Sequence, residues 1–101
     1  MKLFLDTAHI DHIRTARDWG LLDGVTTNPT LAAKEGLEFD ELIARICEIT
    51  PGPVSAEVVA PDVDGMLEQA RRLSAIADNV VVKVPMSKEG VSAGARMVEA
   101  G

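Results

Sequence analysis

Short apolar runs alternate along the chain with longer stretches in which hydrophobic residues recur every three or four positions. The short runs have the length and β-branched composition of strands, and they cover residues 2–6, 24–28, 54–59 and 79–84. The longer stretches have the periodicity of helices with one buried face. Strands that alternate with crossover helices run parallel, so the pattern predicts four βα units in one α/β domain, residues 1–101.

Each predicted strand is followed by a helical pattern with its own start signal. The residues that can cap these helices or form their first turns are Thr7, Pro29, Asp62 and Ser87. The positions predicted to face inward are Ile10, Ile13 and Ala16; Leu42, Ile43, Ile46 and Cys47; Val63, Met66, Leu67, Ala70, Leu73 and Ala77; and Val91, Ala95 and Val98. Four such units fit either half of a (β/α)8 TIM barrel or a small open parallel sheet.

Composition and charge narrow the classes of partner. The 101 residues carry a formal net charge of -6 and contain no basic run, which argues against nucleic acid or an anionic membrane as partner. The apolar run at the start is too short for a signal peptide or a membrane span, so the cytoplasm is the expected location. The single cysteine, Cys47, lies on an apolar helix face and is predicted to be a buried structural thiol.

Polar side chains mark one face of the predicted sheet. Successive strand residues point to opposite faces, and each strand has one apolar face and one face with a polar or ionisable group. Most of these groups lie near the carboxyl ends of their strands, where parallel α/β folds place their chemistry. They form either a candidate active site or a structural ion-pair network, and they are Asp6, Thr26, Asn28, Ser55, Glu57 and Lys83.

Lys83 is the most unusual of these residues, because it follows three valines in a β-branched run. Burying an unpaired ammonium in such a strand costs roughly several kcal/mol of folding free energy. A buried lysine usually avoids this cost by losing its proton. A neutral lysine amine is a nucleophile for carbonyl carbon. The pattern therefore predicts a buried Lys83, which either reacts with a carbonyl compound or neutralises Asp6 or Glu57.

Four segments resemble the small transaldolase and fructose-6-phosphate aldolase family. They are Leu5-Asp6-Thr7, Gly24-Val25-Thr26-Thr27-Asn28-Pro29-Thr30, Ser55-Ala56-Glu57-Val58 and Val82-Lys83-Val84-Pro85-Met86. The resemblance implies the N-terminal half of a (β/α)8 barrel and class I aldolase chemistry. Full family members have eight units, so it also implies that the side chains that bind the substrate phosphate lie outside these 101 residues.

The resemblance assigns three catalytic roles. Lys83 matches the lysine that forms a Schiff base with the ketose donor. Asp6 matches the carboxylate that exchanges a proton with the hydroxyl beside the cleaved carbon–carbon bond. Glu57 matches the carboxylate that acts through a water molecule when the carbinolamine is dehydrated.

The resemblance also describes the substrate pocket. Asn28 matches a side chain that binds the donor beside the lysine, and Thr26 and Ser55 belong to the same pocket. Neither a metal ion nor an organic cofactor is expected, because the imine replaces the Lewis acid of a metal aldolase. His9 and His12 are three residues apart on the first helix and are interpreted as a solvated helix face rather than a metal site.

Three functions are compatible with these residues. Glu57 and the Met86-Ser87 pair favour a transaldolase that moves a dihydroxyacetone unit between sugar phosphates, since the related aldolases carry glutamine at the position of Glu57. The alternatives are a fructose-6-phosphate aldolase-type lyase and a non-catalytic, self-assembling half-barrel. The partners expected are sugar phosphates and a second copy of the chain, which could complete the barrel as a homodimer. The alternative to this dimer is that the 101 residues are a fragment or a domain of a longer product.

Overall fold

Four parallel strands form one sheet in the order β1-β2-β3-β4 in the computed structural model, which describes residues 1–100. The elements are β1 (Phe4–Asp6), α1 (Ile10–Asp18), β2 (Gly24–Thr26), α2 (Pro29–Lys34), α3 (Phe39–Ile49), β3 (Val54–Glu57), α4 (Val63–Ser74), β4 (Val80–Lys83) and α5 (Lys88–Ala100). The predicted α/β class with parallel strands is confirmed, and the arrangement is consistent with half of a TIM barrel. Within residues 1–100 no helix is long and apolar enough to cross a membrane.

The helix starts follow the predicted capping residues with one exception. The Asp62 carboxylate accepts a hydrogen bond from Gly65 N–H at 3.0 Å, and the Ser87 hydroxyl accepts one from Gly90 N–H at the same distance. The prediction for α1 was wrong, because His9 rather than Thr7 is its N-cap. Thr7 lies two residues before His9, and its hydroxyl accepts a hydrogen bond from His9 N–H at 3.1 Å.

The second predicted helical region is divided into two helices. α2 ends at Lys34, and Gly36 follows with a φ of 69°, the left-handed conformation that terminates many helices. The chain then turns, and α3 begins at Phe39. This break lets the short α2 follow the end of β2 while α3 runs separately along the sheet.

The hydrophobic core lies between the helices and one face of the sheet. Val25, Val54, Ala56 and Val58 are buried on that face, as the alternation along the strands predicted. Helices α1, α3 and α4 contribute predicted inner positions, including the buried Cys47. The buried helical residues are Ile13, Ala32, Leu42, Ile43, Ile46, Cys47, Met66, Ala70, Leu73, Gly90 and Ala93.

The face that α5 presents to the core differs from the prediction. Val91, Ala95 and Val98 are exposed, and Val98 retains 83% of its accessible surface. Gly90 and Ala93 are buried instead, because the helix lies close to the end of β4. A Cβ atom at Gly90 would collide with the backbone carbonyl oxygen of Pro85, so only a residue without a side chain fits this approach.

The side chain of Asn79 connects the start of β4 to the loop before β3 by hydrogen bonds. Its removal should therefore destabilise the fold. Its side-chain N–H group donates to the carbonyl of Gly52 at 3.0 Å and contacts those of Cys47 and Thr50 at 3.4 Å. We expect Asn79→Ala to lower the free energy of unfolding by about 2 kcal/mol, because part-buried carbonyls lose their donor. Urea unfolding followed by circular dichroism measures this, with the exposed neighbour Asp78→Ala as control. Equal midpoints for the two variants would contradict the assignment.

Burial of Cys47 makes stability depend on pH in the alkaline range. Desolvation raises the pKa of its thiol from 9.0 to about 11. Between these values the unfolded chain loses the proton and the folded chain keeps it. Stability is therefore complete below pH 9 and falls by about 2 kcal/mol as the pH approaches 11. Urea midpoints of wild type and Cys47→Ala on either side of this window test the effect. An identical pH slope in both proteins would show that Cys47 is not its source.

Candidate active site

The face of the sheet away from the helices carries the predicted polar residues. The strand register pairs Asp6 with Thr26, Thr26 with Ser55, and Glu57 with Lys83. Residues paired in register lie side by side on the same face of a parallel sheet. These five side chains therefore form two adjacent rows near the carboxyl ends of the strands, as the alternation predicted.

The first polar pair joins β1 to β2. The Thr26 hydroxyl donates a hydrogen bond to Asp6 Oδ1 at 2.9 Å. A hydrogen bond to an ionised carboxylate is stronger than one between neutral groups, so Thr26 fixes one oxygen of Asp6 in place. Asp6 is exposed to solvent, so its carboxylate can also accept a hydrogen bond from a ligand.

The second polar pair joins β3 to β4. Lys83 Nζ lies 3.8 Å from Glu57 Oε2, and the two side chains retain 57% and 26% of their accessible surface. The prediction of a buried Lys83 was wrong, because β4 is an edge strand and its inner face is open to solvent. An ion pair this exposed contributes ~0–1 kcal/mol to the free energy of unfolding. Stability alone therefore gives little reason for a lysine at this position.

Asn28 follows β2 and serves as the N-cap of α2. Its Oδ1 accepts a hydrogen bond from Leu31 N–H at 3.0 Å, and Pro29 occupies the first turn. The cap uses the side-chain oxygen only, so the NH2 group of the same amide can donate to a ligand. The Asn-Pro sequence thus orients this amide rigidly at the same end of the sheet as Lys83.

Gln69 is a residue of the site region that the sequence pattern did not reveal. Its side-chain oxygen accepts hydrogen bonds from Val59 N–H and Ala60 N–H, both at 2.8 Å. These two amides follow β3 directly, so Gln69 anchors the segment that leaves Glu57. A glutamine on a helix surface carries no signal in the sequence, because its partners are backbone groups from another element.

Thr27 has a buried hydroxyl with no hydrogen-bond partner among residues 1–100. Its side chain points toward the helices, on the face opposite Thr26. Since an unsatisfied buried hydroxyl is unfavourable, we expect Thr27→Val to leave the free energy of unfolding unchanged or to raise it by up to about 1 kcal/mol.

Thr50→Val is the matched control for Thr27→Val. The Thr50 hydroxyl is also buried, but it donates to the carbonyl of Ile46 at 2.6 Å, so its removal should lower stability by about 1 kcal/mol. Thermal or urea unfolding of both variants measures the contrast. Equal losses would mean that the Thr27 hydroxyl has a stabilising partner.

The two histidines beside the site stack on each other. Their ring centroids are 3.9 Å apart and their planes are inclined by 13°. His9 Nδ1 accepts a hydrogen bond from His12 N–H at 3.4 Å, so His9 acts as a helix cap. The described residues, 1–100, contain no group of three or more histidine, cysteine or acidic side chains that could hold a metal ion.

An open cleft exists elsewhere on the molecule. It has a volume of about 800 Å³ and lies between α4, α5 and β4, where Leu67, Val82, Val84 and Met97 line it. None of the six predicted site residues borders this cleft. The predicted site residues lie instead on the open face of the sheet, outside the cleft.

Comparison with known proteins agrees with the arrangement of these strands. The sequence model of the transaldolase/fructose-6-phosphate aldolase family matches residues 3–101. A probable transaldolase of Desulfotalea psychrophila is 54% identical over 101 residues, which are 100% of this chain and 47% of that protein. A probable transaldolase of Methanococcus maripaludis is 58% identical over 93 residues, 92% of this chain and 43% of that protein.

A third relative, a probable transaldolase of Shouchella clausii, is 52% identical over 101 residues and 47% of its own length. The chain thus spans under half the length of these curated relatives. The match nevertheless includes all four strands and every polar residue of the inner face. The chain belongs to the transaldolase/fructose-6-phosphate aldolase family.

Proposed function

We propose that the chain carries the imine-forming part of a transaldolase-like active site, which transfers a dihydroxyacetone unit between sugar phosphates. The observation that carries the proposal is the position of Lys83, beside Glu57 on the same face of the sheet as Asp6. A lysine, two carboxylates on separate strands and an oriented amide are the groups that such chemistry requires.

The reaction begins at Lys83. Its amine, once it has lost a proton, attacks the carbonyl carbon of a ketose phosphate and forms a carbinolamine, which loses water to give an iminium ion. Glu57, 3.8 Å from the amine, is placed to exchange protons with the departing water. The iminium ion is an electron sink, so it fills the role that a metal ion has in other aldolases.

Cleavage of the carbon–carbon bond depends on Asp6. This carboxylate removes the proton of the hydroxyl on the carbon that becomes an aldehyde, and the bonding electron pair moves to the iminium as an enamine. An acceptor aldehyde then adds to the enamine, and Asp6 returns the proton to the new alkoxide. Hydrolysis of the resulting imine restores Lys83 and releases the product ketose.

The remaining polar residues are proposed to bind and orient the substrate. The NH2 group of Asn28 is available to a hydroxyl of the donor, since the cap of α2 occupies only its oxygen. Thr26 orients Asp6, and Ser55 lies between Thr26 and Val81 in the same row. The chain is proposed to act in the cytoplasm as a homo-oligomer.

The transferase and lyase functions differ in their products. With fructose 6-phosphate alone, a lyase releases free dihydroxyacetone continuously, whereas a transferase stops once the enamine has formed. Glu57 favours the transferase by the family resemblance. We therefore expect a new ketose phosphate only when an aldose phosphate acceptor is added, and chromatography with mass detection measures it. Free dihydroxyacetone at the same rate with and without acceptor would support the lyase instead.

A further inference from the structure

The Glu57 carboxylate lacks the kind of support that holds Asp6. The hydroxyl of Thr26 donates to Asp6 at 2.9 Å, whereas within residues 1–100 no side chain donates a hydrogen bond to Glu57. Its contact with Lys83 Nζ, at 3.8 Å, is too long for a hydrogen bond. The position of this carboxylate therefore depends on how the backbone that carries it is held.

The backbone directly after Glu57 is held from two sides. Val58 N–H donates to the carbonyl of Lys83 at 3.0 Å, which continues the pairing of β3 with β4 past the last residue of the strand. The next two amides along the chain both donate to the side-chain oxygen of Gln69 on α4, at 2.8 Å. Three successive amides are thus fixed, one by β4 and two by α4.

The segment between β3 and α4 also packs closely on the first turn of α4. A Cβ atom at Gly65 would lie 2.8 Å from the Cβ atom of Ala60, closer than side chains approach each other. Gly65 N–H in turn donates to the Asp62 carboxylate at 3.0 Å. Gln69 lies four residues after Gly65, on the same face of the helix. The glycine and the glutamine therefore hold one loop from neighbouring positions.

We propose that Gln69 is a positioning residue of the imine-forming step, and that it acts by fixing the backbone of Glu57 relative to Lys83. The role of these two residues in that step rests on the proposed function. The positioning itself rests on the hydrogen bonds of Gln69 and on the close packing of the loop.

The chemistry of the step explains why the position of Glu57 matters. Lys83 must lose a proton before it attacks the donor carbonyl, and the carbinolamine must gain one before its hydroxyl leaves as water. Glu57 can take the first proton and return it to that hydroxyl, after which the nitrogen lone pair forms the C=N bond. Both transfers require the carboxylate at one place, and a displacement of about 1 Å can slow such a step by up to about 10²-fold.

The two amides determine which side chains can replace Gln69. Successive N–H groups that converge on one point favour an oxygen acceptor, and a carboxylate oxygen suits them as well as an amide oxygen. Gln69→Glu keeps the length and the acceptor, so it should preserve the geometry. Gln69→Leu and Gln69→Met keep the approximate size without a strong acceptor, so each should release both amides.

Thr50→Val is the matched control for these variants. It also removes a hydrogen bond, but Thr50 precedes β3 and lies at the end of the strand away from Glu57. It should therefore lower stability without disturbing the Glu57–Lys83 pair. Circular dichroism confirms that every variant compared is folded.

Amide exchange and cross-linking test the positioning without any need for catalysis. Gln69→Leu and Gln69→Met should speed hydrogen exchange of the Val59 and Ala60 amides by about 10-fold, measured by NMR. A carbodiimide joins a lysine to a carboxylate in contact, and the yield of the Lys83–Glu57 cross-link should fall about threefold or more in both variants, because the pair is no longer held in one orientation. Gln69→Glu and Thr50→Val should match wild type in both measurements.

The rate of imine formation gives the second test. With fructose 6-phosphate and cyanoborohydride, Gln69→Leu should slow the trapping of Lys83 by about 10-fold and leave the donor concentration for half-maximal rate unchanged. In a Glu57→Gln background the same change should slow trapping no further, because Gln69 acts through Glu57. A merely structural role would lower the rate by the same factor in both backgrounds.

Three results would overturn the inference. They are a wild-type cross-link yield in folded Gln69→Leu and Gln69→Met, a Gln69→Glu variant that behaves like Gln69→Leu, and equal slowing of trapping with and without Glu57. A wild-type Lys83 that takes up no label would instead refute the proposed function. Amide exchange and cross-linking would still decide whether Gln69 holds the Glu57–Lys83 pair.

Discussion

Replacing Lys83 by methionine is expected to lower the rate of dihydroxyacetone transfer by about 10³-fold or more and to leave the fold intact. Methionine has a similar length and no amine, so it cannot form an imine with the donor. The ion pair that is lost is exposed, and its removal should change the free energy of unfolding by less than about 1 kcal/mol. Steady-state transfer assays and urea unfolding measure the two effects.

Lys88→Met is the matched control for Lys83→Met. Lys88 is an exposed lysine at the start of α5, five residues beyond Lys83 and outside the strands that carry the candidate site. Its replacement should leave the transfer rate unchanged. A similar loss of rate in both variants, or a folded Lys83→Met protein with wild-type activity, would remove Lys83 from the proposed mechanism.

Asp6→Asn is expected to lower the transfer rate by about 10²–10⁴-fold, the usual contribution of general acid–base catalysis. Asparagine keeps an oxygen that can accept the hydrogen bond from Thr26, so the local structure should persist. It cannot remove the proton from the donor hydroxyl. Imine formation at Lys83 does not need that proton transfer, so this variant should still be trapped by borohydride.

The exposed carboxylate Asp11 on α1 provides the control for Asp6→Asn. Asp11→Asn removes the same charge from the same part of the chain without touching the inner face of the sheet. Its transfer rate should equal that of wild type. If Asp6→Asn lost imine trapping and transfer in equal measure, Asp6 would be required for binding or folding, not for proton transfer.

Much of the fold could be predicted, because the alternation of side chains along a strand and the periodicity of a helix follow directly from backbone geometry. The apolar positions Val25, Val54 and Ala56 are buried on the helix side as the alternation requires. α5 shows where this reasoning fails. Its valines predict the wrong inner face, because the close approach to Pro85 requires a glycine at position 90, and Ala93 is buried on the same side.

The candidate site was partly predictable for the same reason. Alternation alone places Asp6, Glu57 and Lys83 on one face, and the register confirms that placement. Their exposure could not be read from the strand pattern, since burial of Lys83 depends on what covers the inner face. The role of Gln69 could not be predicted from the sequence either, because its side chain is hydrogen-bonded to backbone groups of another segment.

Borohydride reduction in the presence of fructose 6-phosphate tests the central claim most directly, because it converts an imine into a stable amine on the lysine that formed it. We expect peptide mass spectrometry to find the added dihydroxyacetone or ketose mass on Lys83 in wild type and in Lys88→Met. The label should be absent from Lys83→Met. An unlabelled Lys83 in the folded wild-type chain, or equal labelling of the protein after Lys83→Met, would contradict the account.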